Sequence, residues 1–145
     1  MKFTCEIEIN KPRETVITLF DNAENMKQWM PGLLSFEHLS GIPGQVGAKS
    51  KLKYDMNGRK IEMIETITVR NLPDEFSGTY EAAGVWNVVS NKFIAVSPDK
   101  TKWVSYNEFK FTNFMMKVMG FLMPGAFKKT SLNYLKLFKE FAEKS

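Results

Sequence analysis

Apolar and charged residues alternate at the start of the chain. Phe3, Cys5, Ile7 and Ile9 fall on one parity; Lys2, Thr4, Glu6 and Glu8 fall on the other. A period of two marks a strand with one buried face and one wet face, so Lys2 to Ile9 is predicted as a strand. Asn10-Lys11-Pro12 interrupts the pattern. Pro12 suits the first turn of a helix, with Asn10 or Lys11 in the capping position. Val16, Ile17, Leu19 and Phe20 then give a short amphipathic helix. A second runs from Ala23 to Trp29 until Pro31-Gly32 stops it.

From Leu33 to Thr112 the strand period returns. Strands are predicted over Phe36 to Ser40, Lys49 to Met56, Arg59 to Arg70, Glu75 to Ala82, Val85 to Val96 and Thr101 to Thr112. Turns fall at Gly41-Ile42-Pro43-Gly44, Asn57-Gly58, Pro73-Asp74 and Ser97-Pro98-Asp99-Lys100. Asn-Gly between two alternating runs is a strong hairpin signal, because both residues tolerate positive φ. Successive hairpins make an antiparallel meander. The chain then turns helical. Phe114 to Met123 is a methionine-rich helix or turn, bent or broken at Pro124-Gly125. Phe127, Ser131, Tyr134, Leu135, Phe138, Phe141 and Ala142 repeat at helical spacing, with lysines mostly on the other sides. That gives an amphipathic helix of about four turns. No repeat or linker divides the chain, so residues 1–145 are expected to form a single α+β domain.

Charge fixes which face of each strand points inward, because a slip of one residue exchanges the faces. Lys49, Lys51 and Lys53 put Ser50, Leu52, Tyr54 and Met56 inside. Lys60, Glu62 and Arg70 put Ile61, Met63, Glu65, Ile67 and Val69 inside. By the same logic Phe76, Gly78, Tyr80 and Ala82 face inward, as do Trp103, Ser105, Asn107, Phe109 and Phe111. Lys92 turns Val85, Asn87, Val89, Asn91 and Phe93 inward, which leaves Trp86, Val88 and Ile94 as an outer apolar row suited to a homodimer contact.

This interior mixes aromatics with amides, hydroxyls and one carboxylate. A buried polar group without a partner costs about 1–3 kcal/mol. Such groups need hydrogen bonds, water or a ligand, and a mostly apolar wall with a few polar groups is the chemistry of a small-molecule pocket. The candidate lining is Tyr54, Met63, Glu65, Tyr80, Asn87, Trp103, Ser105 and Asn107 from the sheet, with Met119, Met123, Phe127 and Tyr134 from the helices. Methionines suit a wall that accepts variable apolar shapes.

Composition narrows the classes. Hydrophobic residues make up 43% and charged residues 25%, ordinary values for a folded domain. Cys5 is the single cysteine, so no internal disulfide forms. With one histidine, His38, there is no Cys/His metal cluster and no serine- or cysteine-centred triad, and no cofactor or metal is expected. The net charge is +4, but the lysines are dispersed, which argues against nucleic acid. The N-terminus lacks an apolar signal core and no stretch is long enough to span a bilayer, so a cytoplasmic location is expected. A membrane-touching helix at residues 114–123 is not expected, because Lys117 alone supplies a basic face there.

The order of these parts resembles the START-like superfamily, also called SRPBCC or polyketide cyclase/dehydrase and lipid-transport proteins. The resemblance rests on several features. They are the alternating first strand ending at Pro12, two short helices, the Gly41-to-Gly47 turn Gly-Ile-Pro-Gly-Gln-Val-Gly and the run Ile61-Glu62-Met63-Ile64-Glu65. Thr101-Lys102-Trp103-Val104-Ser105-Tyr106 and the closing helix after Pro124-Gly125 complete it. It covers essentially the whole chain. It implies a helix-grip fold, with a seven-stranded sheet curved around the last helix and an apolar cavity between them. It also implies binding or transport of a lipid-, sterol- or polyketide-like molecule. It carries no shared catalytic set. Glu65 is the candidate acid or base if the cavity hosts a cyclase-like reaction, since burial raises a carboxyl pKa. Tyr80 or Asn107 would be the orienting group. A protein-interaction module without turnover is the remaining alternative.

Overall fold

The computed structural model describes residues 1–56 and 58–145. The chain folds as strand β1 (Lys2–Ile9), helix α1 (Arg13–Phe20), a 3₁₀ turn at Ala23–Asn25 and helix α2 (Met26–Trp29). Strands β2 (Leu33–Ser40), β3 (Lys49–Met56), β4 (Arg59–Asn71), β5 (Glu75–Ala82), β6 (Val85–Ser97) and β7 (Lys100–Phe111) follow. Helices α3 (Phe114–Leu122) and α4 (Pro124–Lys144) close it. The strands form one seven-stranded sheet in the order β1-β7-β6-β5-β4-β3-β2. Every neighbouring pair is antiparallel. Strands β2 to β7 are thus the expected meander, and β1 returns to pair with β7.

The predicted boundaries shift where a local rule was incomplete. β2 begins at Leu33, three residues before the predicted start at Phe36. Pro12 is the cap residue of α1 and supplies no side-chain hydrogen bond; neither Asn10 nor Lys11 caps it. α4 has 21 residues, longer than the predicted four turns, because Pro124 sits in its first turn and starts the helix. Asn57 and the Met56 side chain lie outside the described residues, so the predicted hairpin turn is seen only at Gly58. Its φ is 83°, and its N–H donates to Asp55 Oδ1 at 2.9 Å.

The inward parity holds along β3, β5, β6 and β7. Leu52, Phe93, Trp103, Ser105 and Asn107 are all buried. Lys92 is exposed and Ile94 is 47% exposed, whereas Trp86 and Val88 are half-buried; Lys110 Nζ lies 4.7 Å from the Trp86 ring centre. β4 departs from its prediction at one point. Ile67 pairs with Gly78, but Val69 pairs with Ser77, so Thr68 is an extra residue in a bulge. Beyond it the parity reverses. Val69, predicted inside, is 37% exposed. Arg70, predicted outside, sits opposite Phe76 with its guanidinium 6.0 Å from the ring centre. It donates two hydrogen bonds to Asp21 at the end of α1, at 2.8 and 2.7 Å. Gly78 lies beside this bulge, where a β-carbon would stand 2.8 Å from the Thr66 carbonyl oxygen. No larger residue fits that approach of β4 and β5.

The core gathers where α1, α2 and the C-terminal half of α4 meet β1, β6 and β7. Phe138 is fully buried. Its ring centre lies 5.0 Å from Trp29, 5.2 Å from Trp103 and 6.0 Å from Phe20, all edge to face. Phe20 also meets Phe93 at 5.0 Å. Edge-to-face pairs at such spacing add attraction beyond buried area. Among the described residues no helix is long and apolar enough to cross a membrane. Phe138→Ala should cost about 3–5 kcal/mol of stability, the usual loss for a buried aromatic, and Phe138→Leu distinctly less. Urea unfolding of the two variants checks this.

Candidate functional site

Four elements bring a carboxyl and three phenols together on the concave face. Glu65 on β4 is paired across the ladder with Ser50 on β3 and Tyr80 on β5. Tyr80 is paired in turn with Asn87 on β6, and Asn87 with Phe109 on β7. Ser50, Glu65, Tyr80, Asn87 and Phe109 therefore form one row running across five strands. Tyr54 lies two inward positions along β3 from Ser50, and Tyr134 reaches the group from α4. The same period of two that makes the strands lines these residues up on one face.

The electrostatics follow from burial. Glu65 is 8% exposed, and desolvation pushes its carboxyl above the ordinary range, partly offset by a hydrogen bond from the Tyr80 hydroxyl. Tyr80 is half-buried as a residue, but its hydroxyl is desolvated. Burial, then the Glu65 charge and hydrogen bond, then Tyr54 push the phenol well above its usual range. Tyr54 is 4% exposed and is raised by burial first, then by Tyr134 and Glu65. Its hydroxyl lies 3.9 Å from Met30 Sδ. Burial raises Tyr134 as well. At neutral pH the phenols are donors, and the carboxyl is biased toward its neutral form.

The remaining candidates divide. Met63 is half-buried and packs with Leu33, Leu52 and Tyr54 just below the polar row. Asn87 Nδ2 donates to the Glu108 carbonyl at 3.1 Å. Asn107 Nδ2 donates to Ser105 Oγ at 3.1 Å, and both residues are buried. Trp103 Nε1 donates to Asn91 Oδ1 at 2.9 Å, inside the aromatic cluster. Phe127 is half-buried, 5.1 Å from Phe109 and 5.3 Å from Phe111. Met119 and Met123 do not join the group; they are 40% and 56% exposed on and just after α3. Sequence reasoning undervalued Ser50, which is 5% exposed opposite Glu65, although the lysines on either side already turned it inward. It gave no sign of Met30, which follows a helix with no periodic partner. Nor did it flag Trp29 Nε1, a buried donor that has no partner among the described residues.

A surface cleft of about 540 Å³ lies between Pro31, Gly32 and Asp55 on one side and Lys129 and Tyr134 on the other, and of the candidate lining residues only Tyr134 borders it. Tyr134 thus stands between the cleft and Tyr54. A second cleft of about 380 Å³ lies at the far end of α4, between Gln28 and Phe141. His38 is exposed on β2, with Nε2 2.8 Å from the Gly41 carbonyl oxygen. Among the described residues no three His, Cys, Asp or Glu side chains are grouped to hold a metal ion.

A curved seven-stranded sheet, a long closing helix and a polar row on the concave face define a helix-grip domain of the START-like class. The solved structures it resembles agree with this. An aromatase/cyclase from a Streptomyces species superposes with a TM-score of 0.81 at 12% identity, covering 99% of this chain and 94% of that one. A START superfamily protein from Mycobacterium smegmatis gives 0.79 at 14% identity, covering 99% and 97%. A conserved protein from Geobacillus kaustophilus gives 0.80 at 14% identity, covering 100% and 97%. No curated protein matches the chain. The chain belongs to the family described as polyketide cyclase/dehydrase and lipid transport, which it matches over residues 1–137.

The raised Glu65 pKa has a signed consequence. A carboxyl whose folded pKa exceeds its unfolded value favours folding below the unfolded value, here 4.5, and that contribution is lost as pH rises through the folded pKa. Glu65→Gln removes this loss. The stability advantage of the variant over the parent should grow as pH climbs from acid toward neutrality. Thermal midpoints of both proteins across that range check it, and parallel curves would mean Glu65 is not desolvated.

Proposed function

We propose that this protein binds an apolar small molecule on the concave face of its sheet and reads one oxygen-bearing end of it with Glu65 and the phenols of Tyr54, Tyr80 and Tyr134. The supporting observation is this carboxyl–phenol group, buried among Leu52, Met63 and other apolar side chains. A carboxyl desolvated to this degree is costly to the fold, and a ligand hydroxyl or carbonyl is a partner that recovers part of that cost. Family membership supports the same class, since the family spans lipid transport and polyketide chemistry. Asn87 borders the group, Asn107 and Ser105 lie one and two rows along, and Phe127 with Phe109 and Phe111 supplies an aromatic wall. Transport is the form of this function that needs no further residue.

A second function is favoured by one feature. A carboxyl biased toward neutrality next to donor phenols is arranged as a general acid, able to give a proton to a ligand oxygen as in a cyclase-like dehydration. Binding and turnover separate experimentally. Native mass spectrometry of protein purified from cells should carry a co-purified mass of a few hundred daltons that denaturation releases. A thermal-shift panel of fatty acids, sterols and flavonoids should then find ligands. Glu65→Gln and Tyr80→Phe should each weaken binding by about three- to tenfold, the worth of one hydrogen bond. Loss of turnover with affinity retained in Glu65→Gln would identify an enzyme. Clean protein that no ligand stabilises would leave only an interaction module.

A further inference from the structure

α3 is apolar on nearly every side, yet it touches the body of the protein along one narrow stripe. Gly120 is buried and Met116 half-buried, and they are four residues apart on the same face. A β-carbon at Gly120 would fall 2.5 Å from the Phe111 ring, and one at Gly84 would meet Met116 Cγ at 3.0 Å. The helix lies as close to the β6 and β7 ends as its glycine permits. The rest of it faces out. Phe114 and Met115 are each 79% exposed, Phe121 is 84%, Leu122 69% and Met123 56%. A water-soluble surface rarely concentrates so many large apolar side chains in ten positions.

Along this stretch of chain the charge has one sign. Between Phe109 and Lys139 the chain carries six lysines and neither aspartate nor glutamate. The sequence places only Lys117 on the apolar segment, but the fold adds others. Lys128 and Lys129 follow on the second turn of α4; with Lys117, all three are exposed. Two such patches would repel each other, which argues against a second copy of this chain as the occupant. An anionic bilayer supplies both complements, acyl chains for the phenylalanines and leucine and phosphates for the lysines.

We propose that α3 and the start of α4 dock on an anionic lipid surface, with Phe114, Met115, Phe121 and Leu122 in the headgroup–acyl boundary and Lys117, Lys128 and Lys129 against the phosphates. The helix is too short to span and lies in the plane of the interface. The inner stripe of the same helix covers Phe111, which neighbours Phe109 and Phe127. Docking therefore brings the aromatic end of the concave face to the membrane. This inference does not depend on the ligand reading, and either can fail alone.

Flotation of the purified protein with phosphatidylcholine vesicles, with and without phosphatidylglycerol, tests it. The protein should float with the anionic vesicles only, and high salt should release it. Met115→Ser with Phe121→Ser, at positions open to solvent, should leave the thermal midpoint unchanged and lower vesicle partitioning by roughly tenfold or more. Three results would overturn the proposal: no flotation with anionic vesicles, undiminished flotation of the double variant, or a dimer in sedimentation that the double variant disperses.

Discussion

The packing of Phe138 against Trp29, Trp103 and Phe20 is the contact on which the other features rest. It pins the C-terminal half of α4 to β1, β6 and β7 through interlocking rings at 5.0–6.0 Å. Rings packed edge to face tolerate little sliding, so the helix has one register along the sheet. That register places Tyr134, about one turn earlier, at Tyr54 and Glu65. Phe127, two further turns back, lands between Phe109 and Phe111. One helix thus crosses three layers: an aromatic clamp, a polar belt, and a second aromatic contact near its start.

The polar belt is the expensive layer. Its groups lie between two apolar regions and must satisfy each other or lose water for nothing. Most do. Trp103 gives its N–H to Asn91, Asn107 bonds Ser105, and Asn87 bonds the backbone of β7. Glu65 is the exception in kind, because its partner Tyr80 is a neutral donor and no cation pairs with it among the described contacts. Desolvation without a cation raises the pKa of such a carboxyl and so shifts it toward the neutral form, which can both donate and accept. Lys51 and Glu62 pair on the opposite face, so the nearest strand charges cannot reach it.

Much of this was legible in the sequence, for a simple reason. Lysines and glutamates are rarely buried unpaired, so a run of them on one parity of a strand declares the wet face and, by parity, the inner one; Glu65, turned inward by Lys60 and Glu62 on the other parity, is the exception. β1, β3 and β5 therefore have their predicted bounds, and the charge pattern alone turns Tyr54, Glu65 and Tyr80 inward. Parity fails where the chain adds a residue. The bulge at Thr68 inverted Val69 and Arg70, because nothing in the residue types there signals an unpaired position. Contacts between distant segments were also hidden. The pairing of Asn91 with Trp103 needs the β6–β7 register, and the single-stripe seating of α3 depends on Gly120 meeting Phe111. Methionine content pointed Met119 and Met123 toward a cavity, yet composition cannot say which side of a helix has a neighbour.

Stability and adaptability are therefore separated along the length of α4. Toward the C-terminus, Leu135, Phe138 and Ala142 are buried to 3% exposure or less, and the rings leave little freedom. Toward the N-terminus, α3 is held by two small contacts and exposes most of its apolar surface. Regions with few buried contacts open at lower free-energy cost than the core they adjoin. Because the polar belt lies between the two, its geometry is fixed from the clamped side. A fold built this way holds Glu65 and its phenols from the clamped end and leaves the Phe109–Phe111–Phe127 contact to the less buried end.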